Sequence, residues 1–495
     1  MDLFGEHLEL SRALLLLGAI ALALGFEMVN GFHDTANAVA TVIYTHTLRP
    51  WVAVIWSGIW NLLGVLHSSG AVAFGIVALL PAELVVNINS GPGFAMIFAL
   101  LISAIIWNSG TWYLGLPASS SHSLIGSIVG VALANSAISS GKLGEGVNWH
   151  QVKDVALSLL ISPLLGFVLS GILLLAMKAV FKNPDLYIAA DQKKRPPLGI
   201  RGLLMLTCTG VSFAHGSNDG QKGMGLLMLI LVGVVPGAFA LNLHPHVVDV
   251  AKLRQSAYAA EQIIKAKAQP FAGDMTQASA EVTTFLKGAD GDLAKAAGAL
   301  AKIDHELGDR LAQVNTFSEV RNDERKNLRT LLYLSDSGTD QLIKRGYVSD
   351  SAAQPHLADF RKQIDQATKY IAGWVKVAVA IALGLGTMIG WKRIVVTVGE
   401  KIGKSHLSYA QGASAELVAA STISLADYFG LPVSTTHVLS SGIAGTMAAN
   451  HSGLQKATLR NIVLAWVLTL PVCMLLGAGL FSATLYFVLH GLGAH

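Results

Sequence analysis

The stretch GFHDTANAVAT, residues 31–41, places a histidine, an acid, an asparagine and two threonines at the end of an apolar run that begins near residue 11. A second stretch, GSNDGQKGMG at 216–225, interrupts another apolar run in the same way. Polar residues and irregular backbone at membrane depth are tolerated only where they are buried in protein or line a cavity. The two stretches therefore predict broken or re-entrant helices around a polar site inside a membrane protein.

The composition supports a membrane location for most of the chain. Of its 495 residues, 52% are hydrophobic and 13% are charged, which is too apolar for an ordinary soluble protein. Several apolar runs approach or exceed the roughly 20 residues that a spanning helix needs. These runs are 11–29, 94–106, 155–177, 223–241, 375–390 and 461–489. We therefore predict an all-α polytopic membrane protein whose apolar helices contact lipid.

The composition also excludes several classes of protein. The net charge of +4 is small, and no basic patch interleaved with aromatic residues predicts a nucleic-acid partner. Cys208 and Cys473 lie inside apolar runs, so they predict neither a disulfide framework nor a metal cage. No G-x-x-x-x-G-K-[ST] motif is present, which argues against ATP-driven pumping by this chain. We expect no cofactor and no resident metal.

Changes in composition divide the chain into membrane and soluble parts. The segment 242–370 is charged and Ala-rich with helical periodicity, and we predict a mainly helical soluble insert there. A basic linker at 182–201, which we expect in the cytoplasm, contains Lys182, Lys193, Lys194, Arg195 and Arg201. The predicted order is membrane repeat 1 (1–181), the linker, the start of repeat 2 (202–241), the insert and the remainder of repeat 2 (371–495).

The two membrane halves resemble each other in sequence. GLPASSSHSLIG at 115–126 matches GLPVSTTHVLSS at 430–441, and the two polar stretches share their Gly and Asp. Asp34 lies 85 residues before Ser119, and Asp219 lies 215 residues before Ser434. The difference of 130 residues is close to the length of the insert, so the same two motifs recur in the same order. This recurrence predicts an internal repeat.

Charge predicts how the repeats lie in the membrane. The linker and the segment 391–404 are the most basic short loops, so both are expected in the cytoplasm and the insert outside. The resulting count is five spans per half, about 10–12 spans in all when the interrupted helices are counted, with the second half inverted and both termini outside. The segment 202–241 as one straight helix would be about 60 Å long, so we expect it to be broken, tilted or partly re-entrant.

Hydroxyl clusters follow the two Pro-containing turns, where helices can begin. The clusters are Ser119, Ser120, Ser121, Ser434, Thr435 and Thr436. Free N–H groups at a helix start, together with hydroxyl donors, suit an oxyanion, and inverted repeats with paired breaks are typical of transporters. Asp34 and Asp219 beside such an anion require a proton or a cation between them, so we assign them to coupling.

These four motifs resemble the inorganic phosphate transporter family of low-affinity phosphate symporters, with the bacterial proton-linked branch the most similar. The resemblance implies phosphate bound between inverted repeats of a multi-pass protein in the bacterial inner membrane. It also implies coordinating roles for Asp34, Asn37, Asn218 and Asp219 and for the hydroxyls at 119–121 and 434–436.

The sequence departs from the sodium-coupled pattern, which resembles G-A-N-D-V-A-N-A in both copies. His33 replaces an asparagine in the first copy, and Gln221 and Lys222 replace Ala-Asn in the second. We expect the Lys222 ammonium to stand in for sodium, so that protons drive uptake, and we include Gln221 and Lys222 among the substrate-binding residues. His33 is placed with the coupling residues because imidazole titrates near neutral pH, with a structural role left open. The resemblance leaves open a neutral divalent metal–phosphate complex as cargo.

Several alternatives remain open at this stage. The same fold with sodium coupling, or with sulfate as the anion, is the nearest rival. A membrane-embedded enzyme with Asp and His as acid and base, and a passive channel, are the rivals from other classes. His122 and His437 are interpreted as orienting residues, and Glu27 as either a second proton site or a helix contact. A homo-oligomer and a structural or regulatory role for the insert are also open.

Overall fold

The computed structural model describes residues 1–34, 36–80, 88–139, 141–144, 147–190, 195–244, 247–286 and 292–491, without the side chains of 36, 37 and 488–491. The chain is almost entirely helical. A short hairpin at the start pairs β1 (Asp2–Leu3) with β2 (Glu6–His7). Of the predicted linker residues, Lys193 and Lys194 lie outside the described part.

The first half of the membrane part contains seven described helices. They are α1 (Leu10–Asp34), α2 (Ala36–Tyr44), α3 (Pro50–His67), α4 (Ala71–Val77), α5 (Gly91–Tyr113), α6 (Ser120–Ser139) and α7 (Trp149–Val180). The first polar stretch spans the described ends of α1 and α2, which are separated by residue 35 outside the described part and count together as one candidate span, Leu10–Tyr44.

The second half contains helices on both sides of the insert. They are α8 (Leu198–Val234), the short α9 (Pro236–Phe239), α15 (Gly373–Ile389), α16 (Lys392–Glu400), α17 (Tyr409–Tyr428), α18 (Thr435–Ala449) and α19 (Lys456–Gly491). Between α9 and α15 lie α10 (Val250–Lys265), α11 (Met275–Leu286), α12 (Leu293–Leu311), α13 (Asn322–Lys344) and α14 (Ala353–Thr368). Two 3-10 turns, Pro184–Leu186 and Phe317–Glu319, complete the described elements.

Helix α8 differs from the sequence expectation. It runs for 37 residues through the second polar stretch without a break and ends just before Pro236. At 1.5 Å per residue it is about 55 Å long. The helix stays intact because every residue from His215 to Leu231 is buried, so no polar group meets lipid. The second copy of the signature therefore lies in the middle of a continuous helix.

Seven of the described helices are long and apolar enough to cross a membrane, or eight if α14 and α15, bent by 72°, form one span. The predicted count of 10–12 is higher. Helices α15 and α18 have 17 and 15 residues, which is shorter than the roughly 20 residues of a perpendicular span. A criterion of length and hydropathy therefore does not count these two short helices as spans on their own.

Helices of the two halves pack against each other in matching pairs. Helix α1 packs on α15 while its sequence counterpart α8 packs on α3, and α6 packs on α19 while α18 packs on α7. Glycines bring these backbones into contact. A Cβ on Gly31 would lie 2.3 Å from the carbonyl oxygen of Leu383, and one on Gly216 would lie 2.1 Å from that of Asn61. The first glycine of each signature therefore sets the close approach of its helix.

The insert has its own apolar interior. Helices α10, α12, α13 and α14 enclose one buried cluster that includes Leu253, Leu332 and Phe360. A second cluster lies between α11, α12 and α13 and includes Val282 and Leu300. Arg329 on α13 donates to the carbonyl oxygens of Ala240 and Thr368, which ties the insert to the chain segments that enter and leave it.

Candidate functional site

Two helix N-termini meet at the centre of the membrane part. The hydroxyl of Ser119 accepts from the backbone N–H of His122 at 3.2 Å, and that of Ser434 accepts from His437 N–H at 3.1 Å. These are matching N-caps at the starts of α6 and α18. The rings of His122 and His437 lie 4.6 Å apart, so the two helix starts face each other. The partial positive charge of both helix ends is therefore directed at one region.

Asp34 lies in front of these helix starts and is hydrogen bonded by both halves. Its Oδ2 accepts from Ser120 Oγ at 2.6 Å, and its Oδ1 accepts from Thr436 Oγ1. His33 Nδ1 lies 3.4 Å from the same Oδ1, and its Nε2 lies 3.1 Å from Thr111 Oγ1. Asp34 is only 2% exposed. The donors to this carboxylate are thus neutral hydroxyls and one histidine.

Asp219 has a different environment, dominated by charge. Lys222 Nζ lies 2.7 Å from Asp219 Oδ2, one turn along the same helix. His215 Nε2 lies 3.4 Å from the same oxygen, and His215 Nδ1 lies 2.8 Å from Asn61 Oδ1, which fixes the ring. Asp219 and Lys222 are both completely buried. A fully desolvated ion pair of this kind is costly to form but also costly to break.

The two aspartates come together across the halves. A ligand atom from each of Asp34, His215 and Asp219 lies within 4.8 Å of the others. Glu27 lies beside this group, where its Oε2 accepts from Asn30 Nδ2 at 3.2 Å. A Cβ on Gly223 would lie 2.2 Å from Glu27 Cγ, so only glycine leaves room for this acid. Three acids therefore share one buried region with a single lysine.

Several buried polar atoms at this site have no hydrogen-bond partner among the described residues. They are Thr435 Oγ1, Asn218 Oδ1, His122 Nδ1, His437 Nε2 and Glu27 Oε1. Buried polar groups are normally paired, so a cluster of unpaired ones indicates positions that a ligand or water can satisfy. Since these atoms belong to both halves, the ligand they suit would lie between the halves.

Not every predicted site residue faces this region. Gln221 accepts from Val72 N–H at 2.9 Å and donates to Asp427 Oδ1 at 2.5 Å, so its amide is occupied on another side of α8. Ser121 donates to the carbonyl oxygen of Val433 at 2.8 Å. Asn218 is occupied only in part, because its Nδ2 donates to the carbonyl oxygen of Leu431 at 3.2 Å while its Oδ1 stays unpaired among the described residues. The side chain of Asn37 lies outside the described part of the structure.

Sequence reasoning missed several polar residues of the interior, of which Asp427 is only half-buried. His215 and Asn30 lie at the same position of the two signature copies and flank the aspartates, but they precede the conspicuous Gly and Asp. Glu416 is completely buried and accepts from Thr41 and from Thr207 Oγ1, the latter at 2.5 Å. Asp427 accepts from Ser217 Oγ at 2.5 Å. An acid within a membrane helix is itself a signal of function, but Glu416 lies in α17, outside the apolar runs that predicted spans.

Comparisons with known proteins agree with this geometry. The sequence model of the phosphate transporter family matches residues 30–477 of this chain. The low-affinity inorganic phosphate transporter PitA of Escherichia coli (strain K12) is 40% identical, over 97% of this chain and 99% of that protein. PitB of the same strain is 38% identical, over 97% and 99%. The low-affinity inorganic phosphate transporter of Buchnera aphidicola subsp. Acyrthosiphon pisum (strain APS) is 39% identical, over 98% and 99%.

A solved structure supports the fold. The sodium-dependent phosphate transporter superposes with a TM-score of 0.50 and 18% identity, covering 95% of this chain and 98% of that one. With the candidate spans, these relatives indicate a multi-pass protein of the bacterial inner membrane, and they place it among transporters rather than enzymes. The chain belongs to the phosphate transporter family.

Proposed function

We propose that this chain imports inorganic phosphate by proton symport, through a site built by two halves in inverted orientation. The observation that carries the proposal is the position of Asp34, which accepts hydroxyl hydrogen bonds from Ser120 of one half and Thr436 of the other. Phosphate as the substrate agrees with family membership and with the similarity to the low-affinity inorganic phosphate transporter PitA.

The matching helix pairs support the inverted arrangement. In the proposed repeats, 1–181 and 202–241 with 371–495, each signature helix packs on a helix of the other half, and each hydroxyl-capped helix does the same. Such an exchange is expected when two similar halves are related by an axis in the membrane plane. The linker at 182–201 then lies in the cytoplasm, and the insert at 242–370 lies outside.

The helix starts support an anion as the bound species. Two N-termini and the unpaired Thr435 hydroxyl supply donors and positive potential at one place. Phosphate can donate as well as accept hydrogen bonds, whereas fully ionised sulfate can only accept. The carboxylates of Asp34 and Asp219 therefore favour phosphate over sulfate. Ser119 and Ser434 contribute as helix caps, while Ser120, Thr435 and Thr436 are the hydroxyls nearest to the proposed ligand.

Charge balance supports protons as the coupling ion. Asp34, Asp219 and Glu27 together carry up to three negative charges, and Lys222 is the lysine that lies beside them. Because Lys222 Nζ already lies against Asp219, it occupies a place that a sodium ion would need. Adding a phosphate anion to this buried group requires further positive charge. We infer that protons supply it, with Asp34 as the carrier and His33 next to it.

The same cluster supports a divalent metal–phosphate complex as a second form of the cargo. Two carboxylates and an imidazole within 4.8 Å are ligand types that divalent metals accept. His215 adds a nitrogen ligand that favours a transition metal over magnesium. Removing this ligand by His215→Asn would then reduce uptake of phosphate supplied with zinc more than uptake of phosphate supplied with magnesium.

The deciding experiment is phosphate uptake into proteoliposomes with an imposed proton gradient and choline in place of sodium. We expect phosphate to accumulate without sodium, and we expect this accumulation to be lost when the proton gradient is dissipated. The variant Lys222→Asn gives the second copy the asparagine that the first copy has at Asn37. This variant should lose the sodium-independent uptake. Lys178→Asn, at an exposed end of α7, serves as the matched control.

Three results would count against the proposal. A large loss of uptake by the unmodified protein when sodium is removed would favour sodium coupling. Competition by sulfate as strong as that by unlabelled phosphate would contradict the assignment of phosphate as the preferred anion. Uptake that only equilibrates, without accumulation under a proton gradient, would indicate a passive channel.

A further inference from the structure

A cavity of 1060 Å³ lies between the insert and the membrane helices. On the membrane side its walls come from α4, from the C-terminal part of α8 and from the segments 142–144 and 147–151. On the other side they come from α13 and α14 of the insert. The volume is at the upper end of ordinary ligand pockets, about 300–1,000 Å³. The cavity is therefore large enough for a hydrated anion to pass.

Basic residues predominate in the lining. Among the residues that the structure describes, seven cationic side chains line the cavity, against three acidic ones. The cations are Lys142, Lys326, Arg329, Lys344, Arg345, Arg361 and Lys369, and the acids are Asp336, Asp340 and Asp365. Burial lowers the pKa of Arg329 to about 10, so this guanidinium stays charged at neutral pH. The lining thus has a formal excess of four positive charges.

This excess does not reflect the composition of the insert. Between residues 242 and 370 there are 17 Lys and Arg and 17 Asp and Glu, so the insert is neutral overall. Six of those cations but only three of those acids line the cavity. The remaining surface of the insert carries the compensating negative charge. Positive charge is therefore concentrated on the one face that looks toward the membrane helices.

The acids of the lining are already paired. Arg361 binds Asp336 and Asp340, each at 2.8 Å, and Lys344 binds Asp340 at 2.9 Å. Lys326 and Arg345 have no ion pair with a described residue. The Arg345 guanidinium lies 4.8 Å from the centre of the Phe285 ring, which positions it without neutralising it. These two side chains are thus the cations of the insert that can attract a passing anion.

The cavity leads toward the substrate site. Gly225 of α8 lines it, and Gly225 is three residues beyond Lys222, less than one helical turn. Ala71 also lines it, and its neighbour Val72 donates to Gln221 on the same helix. The cavity wall at Gly225 therefore lies within one helical turn of Lys222.

We propose that this cavity is an electropositive vestibule in which the insert collects the free phosphate anion before it enters the site between the halves. The inference rests on the proposed function, since it concerns the same substrate. A cleft lined by one sign of charge raises the local concentration of the oppositely charged ligand, and salt screens the effect. The vestibule gives the insert a part in substrate capture.

The test compares charge reversals inside and outside the vestibule. Lys326→Glu with Arg345→Glu breaks no ion pair between described residues. The matched control, Lys267→Glu with Lys362→Glu, makes the same charge change on surfaces of the insert outside the cavity. Initial uptake of radioactive inorganic phosphate would be measured in cells that lack other phosphate transporters. We expect the KM of the vestibule variant to rise about three- to tenfold, with kcat unchanged.

Two further measurements separate this effect from misfolding. The neutral variant Lys326→Gln with Arg345→Gln should give an intermediate KM. The difference between the variants should shrink as ionic strength is raised from 0.01 to 0.3 M, because the Debye length falls from about 30 Å to below 8 Å. A fall in kcat with unchanged KM would contradict the vestibule, and so would an equal rise of KM in the control. If the unmodified protein takes up no phosphate, the proposed function itself fails.

Discussion

The two copies of the signature place an aspartate at the same position but give it different surroundings. Asp34 of α1 is bound by hydroxyls from both halves. Asp219 lies in the middle of the unbroken helix α8 and is bound by the Lys222 ammonium. The duplication therefore supplies a symmetric frame, while Lys222, three positions after Asp219, gives the second aspartate a cationic partner where the first has hydroxyls.

This difference predicts that one aspartate exchanges its partners during transport and that the other keeps its partner. Hydroxyl groups can donate or accept, so the contacts of Asp34 can be remade when a proton or phosphate arrives. A buried ion pair resists such exchange because separating it leaves two uncompensated charges. We therefore expect Asp34 to change its partners during transport and Asp219 to keep its own.

The largest expected effect comes from neutralising each aspartate in turn. Asp219→Asn leaves Lys222 buried without its partner, and the protein should lose about 3–5 kcal/mol of stability as well as transport. Asp34→Asn keeps groups that can pair with Ser120 and Thr436, so it should lose proton-driven uptake but remain folded. Thermal unfolding in detergent, together with uptake in proteoliposomes, measures both quantities.

A double variant provides the control for this pair. Asp219→Asn with Lys222→Gln removes both charges, so it should recover most of the stability while transport stays lost. Equal unfolding temperatures for Asp34→Asn and Asp219→Asn would contradict the contrast between the two copies. So would a failure of the double variant to regain stability.

A smaller effect is expected from the hydroxyls that distinguish Asp34. Thr436→Val keeps the shape of the side chain and removes one donor to the carboxylate. Hydrogen bonds to charged groups contribute about 1.5–3 kcal/mol, so uptake should fall roughly ten- to a hundredfold. Because the lost partner belongs to the coupling residue, the pH dependence of uptake should also shift. Uptake measured across pH at saturating phosphate tests this.

Thr435→Val is the matched comparison for Thr436→Val. The Thr435 hydroxyl is buried without a hydrogen-bond partner among the described residues, so we assign it to the ligand rather than to Asp34. Its loss should raise the KM for phosphate and leave the pH profile in place. The assignment of the two hydroxyls would be reversed if Thr435→Val moved the pH profile and Thr436→Val changed only KM.

The sequence predicted several, though not all, of the residues that meet at the centre of the molecule. Apolar runs predicted most of the long helices, and the repeated Pro-Ser motifs predicted the two capped helix starts at Ser120 and Thr435. Asp34 and Asp219 were expected to share a pocket because their motifs recur in the same order, and the structure brings them together. Such features depend on local pattern and on duplication, which a single sequence contains.

Other features depend on tertiary contacts that the sequence does not display. The second signature was expected to break its helix, but α8 stays continuous because neighbouring helices bury its polar centre. His215 reaches the site because Asn61 of another helix holds its ring. Glu416 is satisfied by Thr41 and Thr207, which lie far apart in the chain. In each case the partner comes from a distant segment, so no local pattern predicts it.

The smallest effect on transport is expected at Gln221. The two copies differ at this position, but the Gln221 amide is directed away from the proposed phosphate site. The equivalent residue of the first copy is Ala36, which has no polar group. Gln221 bridges Val72 N–H and Asp427, so Gln221→Leu should leave both without this partner. A buried unpaired group costs about 1–3 kcal/mol, so the unfolding temperature should fall while the KM for phosphate stays within about twofold. Gln221→Glu, which keeps the acceptor for Val72 but faces Asp427 with a second acid, should destabilise the protein similarly. A tenfold rise in KM with unchanged stability would instead place Gln221 in the phosphate site and make the two copies more alike than the structure indicates.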